Sequence, residues 1–320
     1  MYNNDEDSQM RKIKDIGFHG HQRKNFFEGW YFKIVLEESN TTLALIPGVS
    51  NSTQEPHSFI QVFVSPQMIF KYIRFDHDAF HVQDNPFKVS ILDNHFSLET
   101  VKVNINEKDF QLNLECTLSN ITPIHTTLLS PTIMGPFHYI PRMECNHGII
   151  SMNHLINGTL QLNHVNHTIE NQKGYIEKDW GTSFPRKYVW CQSNHFSNTS
   201  LSVFLSIAII PMIGFEFEGL IANITFDQKE YRFATYTFAK FNIQTIDDHT
   251  RIITLTQNNL KAIFHIHSPS SIGLASPKQG SMSDMIKEGL EGTITLELYE
   301  NNILIIKDTG HHSGVEFSGY

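Results

Sequence analysis

Apolar and polar residues alternate with a period of two along most of this chain. In "FQLNLECTLS" (110–119), Phe110, Leu112, Leu114, Cys116 and Leu118 alternate with Gln111, Asn113, Glu115, Thr117 and Ser119. Successive side chains of a strand point to opposite faces, so this pattern predicts an antiparallel strand with one face on a core and one in water. "TITLELYE" (293–300) repeats it through Ile294, Leu296 and Leu298. Strand-like runs at 29–36, 57–64, 96–105, 201–209, 219–226, 231–238, 251–256 and 261–267 extend the series. In "LINGTLQL" (155–162) the dipeptide Asn157-Gly158 signals a type I′ hairpin, whose two central residues both take positive φ. Only "SMSDMIKEG" (281–289) reads as helix, with Ser283 as N-cap and Gly289 as stop. The expected fold is all-β with very little helix, its hairpins closed into barrels or sandwiches.

At 320 residues the chain is long for one core, so two units are expected. "EGWYFKIVL" from Glu28 and "YVWCQSNHF" from Tyr188 echo one another, each placing a Trp (Trp30, Trp190) early in a strand after a polar turn. Two similar β units joined near 155–185 fit this echo.

Composition narrows the function. A net charge of -9 and the lack of a basic stripe exclude nucleic acid as a partner. Aromatics make up 12% of the chain, 24 of them Phe, so large rings must line a core or a cavity. Cys116, Cys145 and Cys191 are too few and too scattered for a disulfide framework or a zinc pattern. "MYNNDEDSQMRKIKD" has no apolar stretch of a signal peptide, and "LSVFLSIAIIPMIGF" (201–215) is too short and interrupted to span a bilayer. A cytoplasmic location is expected.

Three stretches carry chemistry. In "NFFEGWYFK" (25–33) a strand accounts for the rings Phe27, Trp30 and Phe32, but Glu28 among them must be paired, exposed or protonated. A surface acid and a cavity acid both remain open. "MGPFHYIPRMECNHG" (134–148) is irregular yet dense in polar types, with His138, Tyr139, Arg142, Glu144 and His147; it reads as a site loop or as a connector with internal ion pairs. "GYIEKDWGTSFPRKYVWCQSNHF" (174–196) gathers Trp180 and Trp190 with Glu177, Asp179, Lys178, Arg186 and Lys187. A carboxylic acid in an apolar pocket stays protonated near neutrality, and ring faces stabilise a neighbouring cation. That combination suits protonation of an alkene. It equally suits a hinge in which Arg186 pairs with Asp179. Pairs such as His265 and His267 lack a third ligand, so no metal site is expected, and neither a phosphate loop nor a GxSxG elbow occurs.

"FFEGWYFK", "MGPFHYIPRMECNHGIISMNH", "GYIEKDWGTSFPRKYVWCQSNHF" and the tail "GVEFSG" together resemble the tocopherol cyclase family in its bacterial branch. The "KDWGTSFPRKYVW" block is the most specific part, and the likeness runs from about residue 17 to the end, thinning between 65 and 130. The resemblance implies two lipocalin-like antiparallel β-barrels related to carotenoid hydratases, here divided as 17–160 and 161–320. It also implies a reaction: in the plant members a prenyl double bond of a quinol is protonated and a phenol oxygen closes a chroman ring. On that basis Asp179, with Glu177 as second choice, is the expected acid. The expected substrate-binding residues are Glu28, Trp30, Tyr31, His138, Arg142, Glu144, His147, Tyr175, Trp180, Arg186, Trp190 and Asn194. No cofactor or metal is implied. The partner would be a small hydrophobic isoprenoid or quinol, collected by peripheral contact with a membrane. A carotenoid hydratase-like enzyme and a non-catalytic lipid-binding protein are the alternatives. Only an enzyme needs a buried acid aimed into the cavity.

Overall fold

The structure is a computed structural model that describes residues 15–320 apart from 142 and 213. The first sheet starts with a meander of β1 (Phe27–Leu36), β2 (Thr41–Ser50), β3 (His57–Ser65) and β4 (Ile69–Asp76). Past a 3-10 turn at His77–Ala79 it continues through β5 (Phe80–Asp84), β6 (Phe87–Ile91), β7 (Asn94–Ser97), β8 (Thr100–Glu107) and β9 (Phe110–Ser119). An irregular segment then leads to β10 (Cys145–Leu162) and β11 (Val165–Gly181), and β11 pairs back onto β1. The order β4-β3-β2-β1-β11-β10-β9-β8-β7-β6-β5 is therefore an up-and-down barrel open along one seam, between β4 and β5.

The second sheet repeats this plan. It runs β12 (Tyr188–Ser193), β13 (Ser202–Met212), β14 (Phe215–Phe226) and β15 (Lys229–Ala234), then a 3-10 turn at Thr235–Thr237. Next come β16 (Lys240–Thr245), β17 (Thr250–Gln257), β18 (Leu260–His267), β19 (Ile272–Lys278), β20 (Ser281–Glu300) and β21 (Ile303–Ser318). Its last strand again pairs with its first, β21 with β12, and its seam again lies between the fourth and fifth strands. Trp30 and Trp190 thus lie on the strands that open the two meanders. The fold is the expected pair of lipocalin-like antiparallel barrels, and helix among the described residues is limited to short 3-10 turns. None of it is long and apolar enough to cross a membrane. The chain passes from one sheet to the other between Gly181 and Tyr188, while residue 160, the expected division, falls inside β10.

Two local expectations are corrected. Asn157-Gly158 is no hairpin but the middle of β10, at a bulge against β11. A Cβ on Gly158 would come within 2.2 Å of Glu115 O, so the glycine permits a close strand approach. The turn lies at Asn163-His164, whose φ values of 44° and 71° are both positive, as type I′ requires. Residues 281–289 are not helical. They form the start of β20, paired with β19 across a turn at Gln279-Gly280. Met282, Asp284, Ile286 and Glu288 fall on one face of that strand, a period of two that the helix-compatible composition concealed.

Burial explains which strands alternate and which do not. β9 alternates buried and open positions as its pattern predicts, because one face fills the barrel and the other meets water. β1 and β12 are buried on both faces, since their outer faces pack against the other barrel. The interiors hold separate cores, one including Trp30, Phe32, Phe96 and Leu114, the other including Val189, Leu205, Phe264 and Leu296. A third cluster, with Tyr31, Tyr175, Met134, Trp190 and Phe204, lies between the barrels.

Candidate active site

A cavity of about 160 Å³ opens between the barrels. Odd positions of β1 and β11 face it (Phe27, Gly29, Tyr31; Glu177, Asp179), as do even positions of β12 and β13 (Tyr188, Trp190; Ser206, Ala208, Ile210). Most of its lining is apolar, including Ile46, Phe59, Met134, Phe137, Met143 and Phe184. Its polar groups sort into two walls.

One wall is a carboxyl pair. Glu288 and Glu316 are direct partners across β20 and β21, and both line the cavity. Each accepts a tyrosine hydroxyl: Tyr31 donates to Glu288 at 2.7 Å and Tyr188 to Glu316 at 2.6 Å. Burial raises Glu288 to about 7, with the charge of Glu177 adding, against the Tyr31 bond and Lys33. Glu316 lies well above the usual carboxylate range because of burial and then the neighbouring Glu288. Two carboxyls facing each other in apolar surroundings cannot both ionise near neutrality, so this wall holds a transferable proton. Behind it Lys33, 1% exposed, donates to Gln192 Oε1 at 2.9 Å and His312 O at 2.5 Å. Burial lowers Lys33 to about 7.

The other wall holds two carboxyls clamped around an imidazole. His147 Nδ1 lies 2.8 Å from Asp179 Oδ1 and its Nε2 lies 3.3 Å from Glu177 Oε2. Burial alone would lower this imidazole, but Asp179 and Glu177 outweigh it and raise it to about 10. The ring stacks on Phe204 at 4.8 Å. Glu177 Oε2 also accepts Tyr175 O–H at 2.6 Å and Trp190 Nε1–H at 3.2 Å. Glu177 is thereby held in place, whereas Asp179 has one imidazole partner, a Cys145 thiol at 3.9 Å and 27% side-chain exposure.

Among the sequence candidates, Tyr31, His147, Glu177, Asp179 and Trp190 meet in this cavity. Tyr175 and Asn194 are buried behind it; Asn194 Nδ2 donates to Gly174 O at 2.8 Å and to Asn153 Oδ1 at 3.1 Å, where the sheets meet. Glu28 and Trp30 point the opposite way, into the first barrel. There Glu28 Oε1 lies 2.5 Å from Lys178 Nζ, both side chains fully buried, so Glu28 is neither a surface acid nor a cavity acid. Lys178 sits 4.6 Å over Trp30 and 5.0 Å over Trp180, and Trp180 stacks on His19 at 4.2 Å. His138 lies on the Gly135–Tyr139 turn, 3.8 Å from Asp15 Oδ1. Arg142 lies outside the described residues. Glu144 and Arg186 face an outer groove. Arg186 bonds Glu216 at 2.6 Å, so the alternative hinge, in which Arg186 pairs with Asp179, does not form.

Sequence reasoning missed Glu288, Glu316, Tyr188 and Lys33. Glu316 stands in the "GVEFSG" tail, and Glu288 was hidden by the helical reading of 281–289. One group among the described residues brings metal-ligating atoms together: His147, Glu177 and Asp179, all within 4.8 Å of one another. Both ring nitrogens of His147 already face carboxylates, so an imidazolium supplies there the positive charge that a metal would bring.

A family model described as tocopherol cyclase-like matches residues 121–319, more than half of the chain. A probable chloroplastic tocopherol cyclase of Oryza sativa subsp. japonica is 27% identical over 162 residues, which is 47% of this chain and 34% of that protein. The match therefore spans about a third of the length of that relative. Among solved structures, kievitone hydratase from Nectria haematococca superposes with a TM-score of 0.54 at 12% identity, over 96% of this chain and 94% of its own. CghA superposes with a TM-score of 0.57 at 9% identity, over 92% and 89%. At such identity these two speak for the fold. The family match goes further: this chain belongs to the tocopherol cyclase-like family.

Proposed function

We propose that the protein is a cofactor-independent cyclase that protonates a prenyl double bond of an isoprenoid quinol or related lipid and closes an oxygen ring. The observation that carries this reading is the Glu288–Glu316 pair, two buried carboxyls facing an apolar cavity and both pushed above the ordinary carboxylate range by burial. The proton passes from this pair to an alkene carbon and leaves a tertiary cation. Trp190 and Tyr31 present rings to it, and the Glu177 carboxyl lines the same cavity. The substrate's phenol oxygen forms the C–O bond, and its proton goes to Asp179, the less committed carboxylate. For the substrate the sum is an isomerisation; the proton left on Asp179 returns to the carboxyl pair by exchange with water, which resets the site for the next turn. Asp179, expected as the acid, becomes the acceptor. A lipid carrier has no use for an acid in this position, because holding a carboxyl away from water costs stability.

The test is cyclisation of a prenylated hydroquinone in D₂O. The wild type should form the ring with one deuterium on the protonated carbon, and Glu288→Gln/Glu316→Gln should lose on the order of 10²–10⁴-fold in rate. A folded double variant that cyclises at the wild-type rate would sink the assignment.

A further inference from the structure

The cavity continues into a second compartment. An outer groove of about 460 Å³ lies beside it, and Phe184, Pro185, Tyr188, Pro277 and Ile286 line both. The two are ends of one track on the same face of three neighbouring strands. On β20 the track runs Asp284, Ile286, Glu288; on β21, Ser318, Glu316; entering β12, Arg186, Tyr188, Trp190. The first-named residue of each run lies in the groove and the last in the cavity. Asp284 and Glu288 are four positions apart on the strand, about 13 Å at the usual rise.

The compartments differ in chemistry and size. The inner cavity, about 160 Å³, is smaller than the ~300–1,000 Å³ that encloses a drug-sized ligand. A substrate larger than one ring with its reacting double bond must extend beyond it. The groove it would enter is more mixed than the cavity: Ile209, Pro211 and Met285 extend the shared apolar strip, and beside them stand Arg186, bonded to Glu216 at 2.6 Å, with Lys278, Glu144, Asp284, Ser183 and Ser318. Charges of both signs favour neither an anion nor a cation; a chain can lie along the apolar strip, but a bare hydrocarbon end would also cover polar groups whose bonds to water it cannot replace. They suit an uncharged donor–acceptor group.

We propose that cavity and groove form one bipartite site for an elongated isoprenoid. Its reacting double bond lies at Glu288 and Glu316, and its far end carries an uncharged hydrogen-bonding group, such as a hydroxyl, held in the groove. The position of the double bond rests on the function proposed above; the preference for a polar far end does not.

Farnesol and the hydrocarbon farnesene, matched in length, test this by quenching of tryptophan fluorescence. Trp190 lines the cavity, whereas Trp30 and Trp180 belong to the first barrel. Farnesol should bind at least about tenfold more tightly than farnesene, a difference of roughly 1.4 kcal/mol. Arg186→Ala/Asp284→Ala, at exposed positions where substitution perturbs folding little, should reduce that preference below about threefold. Equal binding of the two probes, or a preference unchanged in the double variant, overturns the bipartite site. Glu288→Gln/Glu316→Gln separates the two proposals. If this double variant binds farnesol normally but does not turn over a quinol, both stand; if it still turns over, the function falls while the polar preference is unaffected.

Discussion

The hydroxyl of Tyr31, on the first sheet, donates to Glu288, on the second, across 2.7 Å. The acid is thus tuned by a group from the opposite barrel. A hydrogen bond to a carboxylate favours the ionised form, so this bond lowers the pKa of Glu288 against the stronger effect of burial. Tyr31→Phe should move the basic limb of the kcat/KM profile upward from near pH 7, by up to about one unit. A limb that stays in place or moves down would show that another group titrates there.

Glu288 also makes stability depend on pH. Its pKa rises from 4.5 unfolded to about 7 folded. Between those values the folded protein holds a proton that the unfolded chain has released, so stability falls as pH rises and stays lower above 7. The loss approaches about 3 kcal/mol. Glu288→Gln removes it. Relative to wild type, the variant's Tm should gain several degrees between pH 5 and pH 8. A Tm difference that is equal at both pH values would contradict the raised pKa.

The Glu28–Lys178 pair should govern folding rather than chemistry. Both side chains are fully buried and face away from the cavity. Glu28→Gln leaves an ammonium without its carboxylate, a cost of about 3–5 kcal/mol by urea denaturation. Glu28→Gln/Lys178→Met should recover most of that and retain activity per folded molecule. If the double variant folds but is inactive, the pair belongs to the reaction.

How much of this was legible in the sequence depended on whether a strand had one dry face or two. β9 could be read directly, because its alternation reports a single buried face. At the junction of the barrels both faces are buried, so Glu28 and Tyr31 look alike in the pattern although they serve opposite sides of β1. Glu177 and Asp179 could be paired by their spacing of two. Their partner His147 lies on β10, and no local rule names it. Glu288 and Glu316 could not be paired from sequence at all, since their partnership arises from the register of β20 and β21. The echo of Trp30 and Trp190 correctly marked equivalent strands but not their facing: one ring fills a barrel, the other lines the cavity.

The three-residue cluster of His147, Glu177 and Asp179 makes metal dependence measurable. With His147 raised to about 10, its imidazolium opposes a second cation at neutral pH. Protein purified without added metal should contain no stoichiometric zinc or iron, and EDTA should leave cyclisation unchanged. Stoichiometric metal lost together with activity would overturn the imidazolium reading.

Asp179→Asn separates chemistry from architecture on the wall that holds His147. Asparagine keeps the shape and can still accept the 2.8 Å bond from His147 Nδ1, but it cannot take a proton from the phenol. Loss of a general base costs on the order of 10²–10⁴-fold in rate. The variant should therefore fold, bind the quinol and cyclise it at a rate reduced by at least about 100-fold. Glu177→Gln should behave differently. Tyr175 O–H and Trp190 Nε1–H donate to Glu177 Oε2, and His147 Nε2 lies 3.3 Å from it, so Glu177→Gln loosens a network that joins the three and should lower the Tm. If Asp179→Asn melts early yet turns over at the wild-type rate, Asp179 only holds His147 in place, and the proton acceptor must be sought elsewhere in the cavity.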